Sequence, residues 1–187
     1  MGVYSKSLKK KEKGKMSKYK IIKEFWFDAG HRMHSHDLLS DRGAGLLKFE
    51  EKELGWKRFK CSNPHGHTFH VWLVIEAQNL DKQNLVIDTD KIKKVISYFI
   101  EKYDHSYILD KNDPIKEDFI NLFQGYRVVI IDGDPTAERI AKEVYDFFDE
   151  KFKEMIPNEY PKEFRIREVR LKMATTLVAI YSPYENE

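Results

Sequence analysis

Two stretches of the chain alternate at a period of two, and two later stretches recur at a helical period. From Tyr19 to Ala29 the run is rich in β-branched and aromatic residues (Ile21, Ile22, Phe25, Trp26, Phe27), which predicts a strand. From His67 to Ala77 the odd positions Phe69, Val71, Leu73, Ile75 and Ala77 are apolar, while the even ones are mixed. Successive side chains of a strand point to opposite faces, so this segment buries one face. The period then changes. Ile92, Val95, Ile96 and Phe99 recur at i, i+3, i+4 and i+7, predicting a helix over about 89–103 that Asp88 or Thr89 can cap. Ala137, Ile140, Ala141, Val144 and Phe148 repeat the pattern, in a helix expected to open at Asp134-Pro135 and run to about Phe152. Pro157 and Pro161 end it.

Between and after these elements the signals weaken. Residues 32–60 carry Gly43, Gly45 and Gly55 and read as a long loop with a short helix at most. A loop that long is uncommon unless it is functional. Residues 104–126 read as loop, and Tyr126 to Ile131 is a short apolar run. Phe164–Met173 and Thr175–Tyr181 read as a closing hairpin. The order of strand, strand, helix, helix, strand, strand predicts an α+β fold, with an antiparallel sheet and its helices on one face.

The chain has 187 residues, 41% of them hydrophobic, which suits one domain with a real core. No apolar run reaches the roughly 18 residues of a membrane span. Cys61 is the single cysteine, so no intrachain disulfide forms, and a reducing, cytoplasmic setting is expected. The net charge of +2 conceals an asymmetry. Residues 1–18 hold seven lysines and one glutamate, leaving residues 19–187 at about −4. The basic character thus belongs to a tail, read as disordered over 1–18, ahead of one domain over 19–187. Nucleic-acid contact by that tail is the less favoured reading.

The strongest chemical signal is His65-Gly66-His67. In an extended segment both imidazoles project to one side, and Gly66 leaves room between them. His67 shares the parity of the apolar stripe that follows. Two such histidines make half a zinc site. His31, at the end of the first predicted strand, is the candidate third ligand. Three protein ligands leave one position open, as catalytic zinc sites do. The alternative is ordinary polar histidines at strand ends. His34 and His36 are weaker candidates in the loop, and His70 has the wrong parity. Cys61 reads three ways: a small buried residue, a fourth ligand that closes the site, or a thiolate stabilised near a cation and acting as base. Asp104-His105 can orient one another if the chain turns there.

These pieces occur in an order that resembles a known family. Phe27-x-Ala29-x-His31, Cys61-x-x-x-His65-Gly66-His67, Asp104-His105 and Pro135-Thr136-Ala137-Glu138 are similar to the ordered signature of the 6-pyruvoyltetrahydropterin synthase / 6-carboxytetrahydropterin synthase family, over roughly residues 20–181. The resemblance implies the tunnelling (T-) fold, an antiparallel four-stranded sheet with two helices inserted between the second and third strands. It implies hexamers built as two stacked trimers, with active sites at subunit interfaces. His31, His65 and His67 would hold Zn²⁺. Cys61 would be the general base, Asp104 and His105 the proton relay, and Thr136 with Ala137 and Glu138 would lie near the pterin. The implied substrate is 7,8-dihydroneopterin triphosphate. The three-residue gap between Cys61 and His65 resembles the branch that forms 6-carboxytetrahydropterin for deazaguanine (queuosine-type) synthesis, with the pyruvoyl product as the alternative.

One departure stands out. Family members carry a glutamate on the penultimate strand that grips the amino-pyrimidine edge of the pterin, and Met173 falls at that position. A charge-assisted two-point contact is worth roughly 1.5–3 kcal/mol. Its loss leaves two further readings open: a relative with an altered substrate, and a non-enzymatic zinc-binding assembly protein. Retention of Cys61, Asp104 and His105 argues against the last.

Overall fold

The structure is a computed structural model of the chain, and it describes residues 18–35, 60–174 and 176–184. The expected basic tail up to residue 17 and the stretch 36–59 of the expected loop lie outside the described residues, as does His36.

Strand β1 (Tyr19–His31) and strand β2 (His65–Ala77) form the spine of the sheet. They pair antiparallel over their full lengths, from Tyr19 opposite Ala77 to His31 opposite His65. Both are longer than the sequence pattern indicates. β1 runs on through Gly30 and His31, and β2 begins at His65 rather than His67, so all three candidate histidines lie on strands.

Helix α1 (Thr89–Tyr103) follows the predicted bounds, with the Asp88 side chain accepting the Asp90 N–H as its cap. Strand β3 (Ser106–Asp110), helix α2 (Lys116–Leu122) and strand β4 (Val128–Ile131) come next. Helix α3 (Ala137–Met155) is capped by Thr136, whose hydroxyl accepts the Arg139 N–H. The opening is therefore two residues later than the expected Asp134-Pro135. Strands β5 (Phe164–Lys172) and β6 (Ala179–Tyr181) close the chain as the expected antiparallel hairpin.

The sheet has six strands in the order β4-β3-β1-β2-β5-β6. The expectation of four antiparallel strands with two inserted helices is corrected here. Three helices and two extra strands lie between β2 and β5, and β1–β3 and β3–β4 pair parallel. The stretch 104–126, read as loop, holds β3 and α2. β3 is only five residues long and most of it is buried between its neighbours, so it lacks the alternation that betrays a half-exposed strand. α2 is seven residues long and buries none of them, and its apolar set Phe119, Leu122 and Phe123 spans too little chain to mark a helix in the sequence.

Helices α1 and α3 cover one face. Phe25, Phe27, Phe69, Val71, Leu73 and Ile75 from the strands meet Ile92, Val95, Phe99, Val144 and Phe148 from the helices. Aromatic rings dominate the contact: Phe27 stacks on Phe69 at 4.8 Å and meets Phe99 edge-on at 5.2 Å. The opposite face of the sheet leaves Ile22, Trp26 and Ile180 more than half exposed. None of the helices among the described residues is long and apolar enough to cross a membrane.

Candidate metal centre and catalytic groups

The inward parity of β1 and β2 continues past the apolar core to the sheet's end, where it turns from phenylalanine to histidine. His31 stands directly opposite His65, and His67 is opposite Ala29. The ring centroids lie 4.4 Å apart for His31 and His65, 5.3 Å for His31 and His67, and 5.0 Å for His65 and His67. One nitrogen from each converges within 4.8 Å of the others. Cys61 does not join this group.

The glycines at this end have a steric reason. Gly30 and Gly66 are cross-strand partners. A Cβ on Gly30 would come 2.6 Å from Cδ2 of Tyr107, and one on Gly66 would come 3.3 Å from the Ala29 carbonyl oxygen. The Tyr107 ring thus lies over bare backbone, which fixes β3 against β1.

Hydrogen bonds prepare two of the rings. His31 Nδ1 donates to the Pro135 carbonyl at 2.9 Å, and His65 Nδ1 donates to the Asn63 carbonyl at 2.7 Å. A carbonyl oxygen only accepts, so Nδ1 carries the proton and Nε2 keeps its lone pair. His31 is fully buried, and its Nε2 has no hydrogen-bond partner. Burial, together with the neighbouring His65 and His67, pushes His31 down to about 4. Burial and His65 also lower His67. The unpartnered Nε2 of buried His31, with a nitrogen of His65 and of His67 within 4.8 Å, fits a divalent metal ion, and an orphaned buried Nε2 is otherwise costly.

The other predicted residues fall into two places. Cys61 sits half-buried in a short 3-10 turn, Lys60–Ser62, and its carbonyl accepts the Met33 N–H at 2.8 Å, just beyond His31. Asp104 and His105 follow α1. The chain turns there, with His105 at φ +56°, and the His105 Nδ1 meets Asp104 Oδ2 at 2.8 Å. Asp104 Oδ1 accepts the Asp28 N–H, and His105 N–H donates to the Asp28 carbonyl. Burial opposes ionisation of Asp104. The Asp28 N–H, the His105 ring and Arg127 outweigh it and hold the carboxyl below its ordinary range.

His105 shares a shallow cavity of about 500 Å³ with Asp28, Gly30, Gly66, Thr68 and His67. By strand parity Asp28 and Thr68 beside His105 face outward and the three histidines inward, and the cavity at the bare Gly30–Gly66 pair is where His105 and His67 come to line one space. A larger cavity of about 830 Å³ lies at the far end of β2, between residues 78–83 and 159–163, where Lys91 and Glu159 already pair at 2.6 Å.

Of the residues expected near a pterin, Thr136 caps α3 and Glu138 is exposed in its first turn, while Ala137 is buried in the core. Met173 leaves β5 just past Lys172, which is opposite His70, so it heads toward the histidine end and packs on the edge of the core.

A second cluster was missed at the level of sequence. His34, Asp110 and Asp134 bring ligand-type atoms within 4.8 Å. His34 had been rated only as a weak candidate, and the two aspartates flank turns whose sequence gives no periodic signal.

The fold and this cluster define an α+β protein with a group of three histidines that could hold a metal ion. The family model described as 6-pyruvoyl tetrahydropterin synthase matches residues 20–183, and the chain belongs to that family. It is 34% identical over 140 residues to the 6-carboxy-5,6,7,8-tetrahydropterin synthase of Aquifex aeolicus, covering 73% of this chain and 83% of that protein. It is 32% identical over 123 residues to the enzyme of the same name from Rickettsia felis, covering 65% and 74%. Among solved structures, an uncharacterised protein from Wolinella succinogenes superposes with a TM-score of 0.65 at 20% identity, over 89% of this chain and 98% of that one. The 6-pyruvoyl tetrahydropterin synthase of Plasmodium falciparum superposes at 0.58 and 14% identity, over 91% and 100%. At those identities the likeness speaks for the fold alone.

Proposed function

We propose that this chain is a zinc-dependent lyase that converts 7,8-dihydroneopterin triphosphate to 6-carboxytetrahydropterin. The observation that carries the reading is the convergence of three imidazoles, one nitrogen from each within 4.8 Å of the others, in a chain so similar to proteins of that name. His31, His65 and His67 would hold zinc, which when bound would supply Lewis acidity. Cys61 takes a proton from the substrate's side chain as its thiolate. His105 returns a proton, and Asp104 holds its ring by the Nδ1 bond. Thr136 and the first turn of α3 border the pterin. One water is consumed, and release of acetaldehyde and triphosphate leaves the carboxy product. A tetrahydropterin for deazaguanine synthesis and a cytoplasmic location are the matching context.

The acting form is a homo-oligomer, a hexamer of two stacked trimers. Three features support it. The relay and the histidine cluster belong to opposite faces of one chain's sheet. The outer face exposes Ile22, Trp26 and Ile180. The end strands β4 and β6 each offer an unpaired edge among the described residues.

The deciding experiment is anaerobic incubation of zinc-loaded protein with 7,8-dihydroneopterin triphosphate, with products read by mass spectrometry. The 6-carboxy product with acetaldehyde supports the reading. A 6-pyruvoyl product would move the chain to the other branch, and no turnover with zinc bound would refute both.

Met173 favours a second reading, a family enzyme with an altered substrate. Its thioether offers no charge where a carboxylate would grip the pterin, and it is already packed on the core edge. On the main reading, Met173→Glu tightens pterin binding about tenfold or more, because a charge-assisted pair is gained. Equal or weaker binding in titration calorimetry would favour the altered substrate.

A further inference from the structure

We infer that Asp134 is a positioning residue for the metal centre, acting on His31 through the carbonyl of Pro135. The inference rests on the reading of His31, His65 and His67 as metal ligands. His31 is fully buried, and its only hydrogen bond among those found is from Nδ1 to the Pro135 oxygen. Where that oxygen stands decides where His31 Nε2 points. The partner comes from 104 residues away, so something must hold the 134–135 corner against the end of β1.

Asp134 does so. Its Oδ1 accepts the His34 N–H at 3.0 Å, and its Oδ2 accepts the Ser35 N–H at 3.1 Å and the Ser35 hydroxyl. His34 Nδ1 lies 2.8 Å from Oδ1. These donors belong to the segment that leaves β1 three and four residues after His31. The corner is thereby bound twice to one short stretch of chain, by the imidazole on one side and by the carboxylate on the other. Further bonds stop the corner from rocking. The Thr136 N–H donates to the Asp134 carbonyl at 2.7 Å, and the Gly133 N–H donates to Asp110 Oδ1 at 3.1 Å. A group that orients a ligand through its second nitrogen commonly sets metal affinity by about 10–100-fold.

The same residues admit another assignment, a second cation held by His34, Asp110 and Asp134. Both Asp134 oxygens already accept N–H or O–H donors, and Asp110 Oδ1 accepts from Asn112 and Gly133. A carboxylate engaged in that way is a clamp rather than an open ligand.

The test compares wild type with Asp134→Ala and Asp134→Asn by two readouts. Zinc affinity is measured by chelator competition, and the imidazoles of the metal-free proteins are followed by ¹⁵N NMR. In wild type His31 is a single Nδ1–H tautomer. In Asp134→Ala zinc binding weakens about 10–100-fold, and the His31 signals average between tautomers. His65, held independently by Asn63, keeps its spectrum. Asp134→Asn retains one acceptor oxygen and falls between the two, and it carries both readouts if the alanine variant does not fold. Unchanged affinity and an unchanged His31 spectrum in a folded variant would overturn the inference. So would a wild type that holds two zinc ions, one of them lost on substitution. A wild type that binds no zinc would remove the metal reading, while the His31 spectrum would still decide whether Asp134 sets the ring.

Discussion

His31 is fully buried, and that burial has a consequence that needs no substrate. The imidazole is held at about 4 in the folded, metal-free chain, against an ordinary 6.5 in the unfolded one. Between those values the unfolded chain binds a proton that the folded chain does not. Stability therefore falls as pH falls, fully present above 6.5 and lost by about pH 4, by on the order of 3 kcal/mol. His67 adds to it with the same sign. Urea denaturation of the metal-free protein at several pH values should give this slope, and His31→Gln should flatten it. A variant with the wild-type slope would locate the effect elsewhere. Cys61 makes a second test at this scale. It stands outside the convergent group, so Cys61→Ala should keep its zinc while turnover drops by about 10²-fold or more. Loss of zinc from that variant would make Cys61 a ligand instead. His65 and His67 were legible in the sequence because i and i+2 share a strand face. Asp134 was not, because it acts through the backbone of a segment a hundred residues away and leaves no local pattern.

At the scale of elements, the sheet's end depends on what is missing from two positions. Tyr107 of β3 reaches across β1 only because Gly30 has no side chain. Gly30→Ala would put a methyl 2.6 Å from that ring, so Tyr107 must swing away or β3 must shift. Overpacking of this kind costs about 1–3 kcal/mol. Gly66→Ala, whose nearest obstacle is the Ala29 carbonyl at 3.3 Å, should cost less. Chemical denaturation of both variants ranks them, and equal stabilities would mean the Tyr107 contact yields freely. The long antiparallel pair β1–β2 and the amphipathic α1 and α3 were readable because each buries one face and exposes the other. β3 and α2 were not, for different reasons. β3 is covered by β1 and β4 on its edges and mostly buried, so it reads as a short mixed segment. α2 is a single short stretch of seven residues, so Phe119, Leu122 and Phe123 at helical spacing are too few to mark it. The parallel pairing of β3 and β4 likewise has no local signature, since it is set by the crossover through α2.

The whole molecule raises the question of how a thiol near one end of β1 and a relay on the other face of the sheet serve one reaction. Cys61 is tied to Met33, beyond the end of β1, while His105 is tied to Asp28. About 10 Å of strand separates Asp28 from His31 alone. On the proposed hexamer a site completed between subunits would resolve this, with the relay of one chain facing the histidine cluster of another. Mixing inactive variants tests it. Cys61→Ala and His105→Ala should each be inactive alone. In an oligomer assembled at random from equal amounts, each site draws its thiol from one chain and its relay from a neighbour. Both donors are intact in about one quarter of sites, since each is intact half the time. Denaturing and refolding the two together should therefore restore about 25% of wild-type turnover. Sites made within one chain would stay inactive at every mixing ratio, because every chain lacks one of the two groups. A mixture without activity, in an oligomer shown by light scattering to contain both variants, would place thiol and relay in the same subunit.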